Sequence, residues 1–135
     1  MTKRESPRAA ERTVVAVLEN LMDGAAIMDA ARRLQIRVIV VSFDQALETC
    51  ERERPVAAVL DLTSSRALTL LAAPALAGIP TVGFYPHVDG ALRKRALSAG
   101  VGRVLPRSAF FGRLPQTLSA LVSKESRLPD PSGGC

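Results

Sequence analysis

Five short apolar runs alternate with segments of helical periodicity along this chain, and no other feature narrows its fold as far. The runs are Thr13–Leu18, Arg37–Phe43, Val56–Leu60 closing on Asp61, Thr81–Tyr85 and Arg103–Leu105. Unbroken apolar runs of this length read as strands buried on both faces of a parallel sheet. Between them the periodicity predicts five helices. The first spans about Asp23 to Leu34, with Ile27, Ala30, Ala31 and Leu34 on one face. The second is capped by Asp44 and ended by Pro55. The third starts at Ser64 or Ser65 and runs through Ala73. Pro74 cannot continue it, so Pro74–Gly78 is expected as a separate turn. The fourth runs from Asp89 to a C-cap at Gly100. The last starts near Ala109 and aligns Phe110, Leu114, Leu118 and Leu121.

Alternating strand and helix implies a parallel sheet with helices on both faces, and right-handed crossovers leave few topologies. Five strands favour an α/β, flavodoxin-like order 2-1-3-4-5. Its switch point lies between the first and third strands, which sets the loop after Leu18 beside Asp61. Residues 13–122 make one expected domain; 1–12 form a basic tail and 123–135 a C-terminal tail, both expected to be mobile. A length of 135 residues suits one domain and is short for a sensor joined to an output module. Hydrophobic content of 47% argues for a folded chain. No apolar run reaches a membrane-spanning length, and the first residues lack the apolar stretch of a signal peptide. The expected location is the cytoplasm. Cys50 and Cys135 give no disulfide framework, and one histidine gives no zinc spacing. Cys50 is expected to pack. Cys135 is a tail thiol able to cross-link two chains.

Asp61 is the candidate functional residue. A carboxylate at the carboxyl end of a buried strand lies on the edge where ligands collect in open α/β sheets. Taken alone, it reads equally well as a loop acid capping the next helix. Three further loops converge on it, carrying Glu19 and Asn20, then Tyr85, Pro86 and His87, then Pro106, Arg107 and Ser108. Glu19 and Asp61, with a Thr63 carbonyl and Asn20 as neutral oxygens, form a weak candidate site for a hard divalent cation such as Mg²⁺. A cation beside a carboxylate can screen a phosphoryl group arriving on it. Glu19 as a loop acid, Arg107 as a surface or ion-pairing arginine, and His87 as an incidental loop residue remain open.

Three blocks carry a family likeness: Ala57–Leu62, Pro74–Val82, and Arg95–Leu105 with its alanine-glycine turn. With them, Thr13 to Val122 resembles a receiver domain of bacterial response regulators (CheY-like). The resemblance implies that Asp61 is the phosphoacceptor. It also marks departures. Receivers carry an acidic pair after the first strand, where this chain has Glu19 and Asn20. They carry Ser or Thr after the fourth, where it has Tyr85, and Lys-Pro after the fifth, where it has Arg107-Ser108. The segment thus resembles an atypical receiver or a pseudo-receiver.

The net charge is +5, and much of the surplus falls between His87 and Arg113. Arg93, Lys94, Arg95, Arg103 and Arg113 lie there, on the fourth helix, fifth strand and last helix that the resemblance implies as an output surface. A basic face meets an acidic protein or nucleic acid. No nucleic-acid module is present and aromatic stacking residues are scarce, so the expected partner is a protein, either a histidine kinase or a downstream regulator. A homodimer is compatible with the sequence. No Gly-rich phosphate loop or nucleophile–base motif appears, so an autonomous enzyme is not expected. The expected function is a stand-alone receiver-like signalling module working through protein contact, with Asp61 as candidate phosphoacceptor. The alternatives are a phosphorylation-independent adaptor, or a small flavodoxin-like ligand-binding or nucleic-acid-associated protein.

Overall fold

The computed structural model describes residues 12–86 and 89–123. Most of both expected tails, together with His87 and Cys135, lies outside these residues. The strands are β1 (Thr13–Val17), β2 (Arg37–Val41), β3 (Ala57–Asp61), β4 (Thr81–Tyr85) and β5 (Arg103–Pro106). They form one parallel sheet in the order β2-β1-β3-β4-β5, as the alternation predicts. The helices are α1 (Leu21–Arg33), α2 (Phe43–Glu53), α3 (Arg66–Leu71), α4 (Gly90–Ala99), α5 (Arg107–Gly112) and α6 (Leu114–Val122). None of them is long and apolar enough to cross a membrane.

The sheet divides the core in two because strand side chains alternate. Val14, Ala16, Val59 and Phe84 pack with Ile27 of α1, Phe110 of α5 and Leu118 of α6. Val15, Val17 and Leu60 pack with Phe43 and Ala46 of α2 and with Leu92 and Ala96 of α4. Cys50 belongs to this second layer, and burial, with Glu51 adding to it, pushes its thiol above the ordinary cysteine range. It therefore stays protonated and packs as a small apolar group.

Helix ends agree with the sequence where the cap is local. Asp89 accepts from the Leu92 amide at 2.9 Å, and Gly100 closes α4 at φ 110°, a conformation costly for any side chain. Elsewhere the ends move. The first helix starts at Leu21 and not Asp23, because Asn20 Oδ1 accepts from the amides of Met22 and Asp23 at 2.8 and 3.1 Å. The second strand stops at Val41, and Phe43 turns into the core as the first residue of α2. Asp44 is therefore a first-turn residue and not the cap. It pairs instead with Arg66 at 2.6 Å. The third helix ends at Leu71, short of Ala73, and Pro74 opens a 3₁₀ turn to Leu76. The expected last helix is two helices meeting at Arg113, whose φ is −130°. Pro115 explains the break. Its ring would collide with the carbonyl four residues back and its missing N–H would leave a gap, but it fits the first turn of a new helix.

One close approach fixes β3 against β4. A Cβ placed on Gly83 would lie 2.6–2.9 Å from three carbons of Leu62, which itself is almost fully buried. Leu62 thus occupies the space that a side chain on β4 would need. Gly83→Ala should lower unfolding stability by about 1–3 kcal/mol, the usual result of overpacking a tight core, as read by urea denaturation. In a Cys135→Ser background, Cys50 should react with a thiol reagent only as fast as the protein unfolds. Rapid labelling of the native protein would contradict its buried, protonated state.

Candidate functional site

Asp61 is the last residue of β3 and lies opposite Phe84 in the β3–β4 register. It is half-buried, and its Oδ1 accepts from the Thr63 amide at 2.9 Å. That bond turns the chain sharply out of the strand, as Asp side chains do in turns. It also fixes the carboxylate at the carboxyl edge of the sheet. Among the described residues, no group donates a hydrogen bond to Oδ2.

The strongest polar interaction at this edge joins residues 84 positions apart. Arg107 opens α5, and its two terminal nitrogens donate to Asp23 Oδ2 at 2.7 Å and Oδ1 at 2.5 Å. This is a two-pronged guanidinium–carboxylate pair, the strong form of such contacts. Asp23 exposes 8% of its side chain and Arg107 47%. The guanidinium also lies 4.8 Å from the ring centre of Phe111 and 5.8 Å from that of Phe84. Those rings pack on Phe110 in a three-ring cluster. The hydrogen bonds to Asp23, with the charges of Asp23 and Asp61 adding, raise the pKa of Arg107, so it is a permanent cation. The sequence placed Arg107 at the site but did not single out Asp23. A first-turn helix acid is ordinarily a dipole partner. The available signal was its position four residues before Ile27, on the buried face of α1.

Glu19 and Asn20 are both used as helix caps. The Glu19 carboxylate accepts from the Phe43 amide at 3.2 Å, closing the start of α2, where Ser42 makes no side-chain bond. That places Glu19 on the β2 side of β1, whereas Asp61 ends β3 on the other side. Asn20 spends its oxygen on two amides of α1. Thr63 uses its amide on Asp61. Tyr85 is 6% exposed and packs in the layer that includes Leu92, Ala96 and Val104, under α4. The phenol side chain is therefore part of the core at the position where the receiver resemblance sets a small hydroxyl.

These donors do not fit a resident Mg²⁺. A hard cation needs several oxygens free to converge. Here one carboxylate closes a helix, one amide oxygen closes another, and Asp23 is held by a guanidinium on both oxygens. Among the described residues, no three of His, Cys, Asp and Glu are placed to hold a metal ion.

No protein-family model matches this sequence, and no curated protein matches it. Solved structures do match its shape. A response regulator from Thermotoga maritima is 18% identical with a TM-score of 0.72, covering 83% of this chain and 98% of its own. The response regulator receiver protein from Burkholderia phymatum is 24% identical, with a TM-score of 0.65 over 82% and 94%. The receiver domain of the sensor histidine kinase PA1611 from Pseudomonas aeruginosa PAO1 is 21% identical, with a TM-score of 0.68 over 82% and 97%. In that structure a magnesium ion is coordinated in the active site cleft. The chain has the fold of response regulator receiver domains.

Removing the Arg107 side chain strands a nearly buried carboxylate. Arg107→Ala should cost about 1–3 kcal/mol, below the range for a fully buried pair because the guanidinium is half exposed. Asn20→Ala should cost about 1 kcal/mol through loss of the α1 cap. Chemical denaturation checks both, and an Arg107→Ala protein as stable as the parent would remove the pair from its structural role.

Proposed function

We propose that this receiver-fold chain is a signalling module that works by protein contact in one fixed conformation, without being an autonomous enzyme. The observation that carries this reading is the packing of Tyr85 in the core together with the pairing of Arg107 with Asp23. Tyr85 is buried beneath α4, and Arg107 is bound to Asp23 by two charge-assisted bonds. A switch needs an element with two arrangements whose balance a modification shifts. Here moving Tyr85 toward Asp61 would empty a packed core position. Moving Arg107 toward Asp61 would leave Asp23 without a partner.

The proposed contact face is α4, β5 and the α5–α6 junction. Arg93, Lys94, Arg95, Arg103 and Arg113 are all exposed there, and none forms an ion pair among the described residues. In contrast, Arg32, Arg33, Arg37, Arg52 and Arg66 each pair with a carboxylate. Unpaired, solvated cations on one edge suit an acidic protein surface, such as that of a histidine kinase or a downstream regulator. Among the described residues no groove-reading element accompanies them, which disfavours DNA.

A second reading keeps Asp61 as a phosphoacceptor. It is supported by the half-exposed carboxylate at the sheet edge, whose Oδ2 accepts no hydrogen bond from a described residue. One comparison separates the two. Amide spectra are recorded for the free protein, for beryllofluoride-treated protein and for Asp61→Asn. The fixed-conformation reading expects the three to differ only around residues 61–66. Large matching shifts across α4 and β5 on beryllofluoride treatment, lost in Asp61→Asn, would establish a working phospho-switch instead.

A further inference from the structure

We infer that a cavity at the amino edge of the sheet is a binding site for a small organic carboxylate with an apolar body. The cavity measures about 490 Å³, within the size range of small-ligand sites. It lies where β4 and β5 begin, at Thr81 and Arg103, and where α4 ends at Ala99. The last two turns of α6 close its side through Thr117, Ala120 and Leu121. The strands are parallel, so this edge is opposite the one that holds Asp61. Small residues keep the cavity open. Ala77, Gly78, Ala99, Gly100, Gly102 and Ala120 stand on its lining, and a Cβ added to Gly78 or Gly100 would meet no atom within 4 Å.

The lining selects the ligand. Leu71, Leu76, Ile79, Val82 and Leu121 supply an apolar wall, which fits a hydrocarbon or aromatic body. Three polar side chains join them, and each has a donor to offer. Thr117 is 6% exposed, yet its hydroxyl makes no hydrogen bond among the described residues. A buried hydroxyl in that state is costly, and an acceptor in the cavity would relieve the cost. Thr81 is buried too. Its oxygen accepts from the Gly102 amide at 2.9 Å, and its own O–H meets no acceptor among the described residues. Arg103 is exposed, forms no ion pair among those residues and adds a positive charge. No acid is among the described residues of the lining. Two free hydroxyl donors, one cation and no competing anion call for an acceptor of single negative charge. A carboxylate has that charge, accepts from hydroxyls and matches the planar guanidinium.

The test titrates decanoate into the full chain while recording amide shifts and melting temperature. Decanol serves as the uncharged body and acetate as the bare head. Wild type is expected to bind decanoate saturably below about 1 mM, with shifts centred on Gly78, Gly100 and Gly102. Decanol and acetate are expected to bind at least about tenfold more weakly. Arg103→Gln is expected to bring decanoate down to the level of decanol. Thr117→Val, which keeps the shape of the side chain, is expected to weaken decanoate about three- to tenfold. Ala120→Phe places a ring in the cavity and is expected to abolish binding. If it folds poorly, Ala77→Phe blocks the exposed rim instead. Absence of saturable decanoate binding to wild type would overturn the inference. So would binding that survives both blocking substitutions, or that neither Arg103→Gln nor Thr117→Val changes. Arg103 also belongs to the proposed contact face, but Thr117→Val and Ala120→Phe alter no charge and read the cavity alone. The contact face and the cavity can therefore fail separately.

Discussion

The inner strands β1 and β3 have no face toward water. From Val14 to Val17 and from Ala57 to Leu60 every side chain is fully buried. A polar side chain cannot stand within such a strand without a partner, so the chemistry of the chain is driven to the strand ends. Asp61 follows directly from this. It is the first position of β3 at which a carboxylate reaches water, and the turn held by Thr63 begins there. The same constraint acts on α1, whose buried face packs on β1. Asp23 lies on that face and is tolerated because Arg107 reaches it from the far end of the chain.

Much of this was legible because much of it is local. Apolar runs closed by Asp61 and by Tyr85 locate strand ends without knowledge of the rest of the chain. Alternation and crossover handedness then order the strands. Asp89 and Gly100 delimit α4 through contacts within a few residues. The Asp23–Arg107 pair was not legible: spacing to Ile27 sets Asp23 on the buried face of α1, but nothing in either local sequence names its partner. Glu19 was read as a site acid, yet it closes α2 from a neighbouring loop. The failing cap at Ser42 gives no hint of that in sequence. The break before α6 was different. Pro115 was visible, but the regular spacing of Phe110, Leu114, Leu118 and Leu121 outweighed it. All four are indeed buried on one side, because two helices can present one face across a break.

The departures from the receiver pattern act together. A bulky phenol fills a core position, a guanidinium takes up the acid that faces it, and the remaining acid after β1 closes a helix. Each of these side chains finds its packing place or its polar partner within the fold. Satisfied polar networks in well-packed surroundings rigidify a structure. The aromatic cluster of Phe84, Phe110 and Phe111 adds to this, tying the base of Arg107 to β4 and α5 at once.

Charge is spread unevenly along the described residues. From Arg12 to Pro86, seven arginines stand against eight carboxylates; from Asp89 to Ser123, six cations stand against Asp89 alone. Because β5 is an edge strand, that excess lies at one margin of the sheet instead of being spread around it. Charge gathered at one margin steers an acidic body toward that margin as it approaches. Salt would then slow the encounter far more than it hastens release, because screening acts on the approach while short-range contacts govern escape.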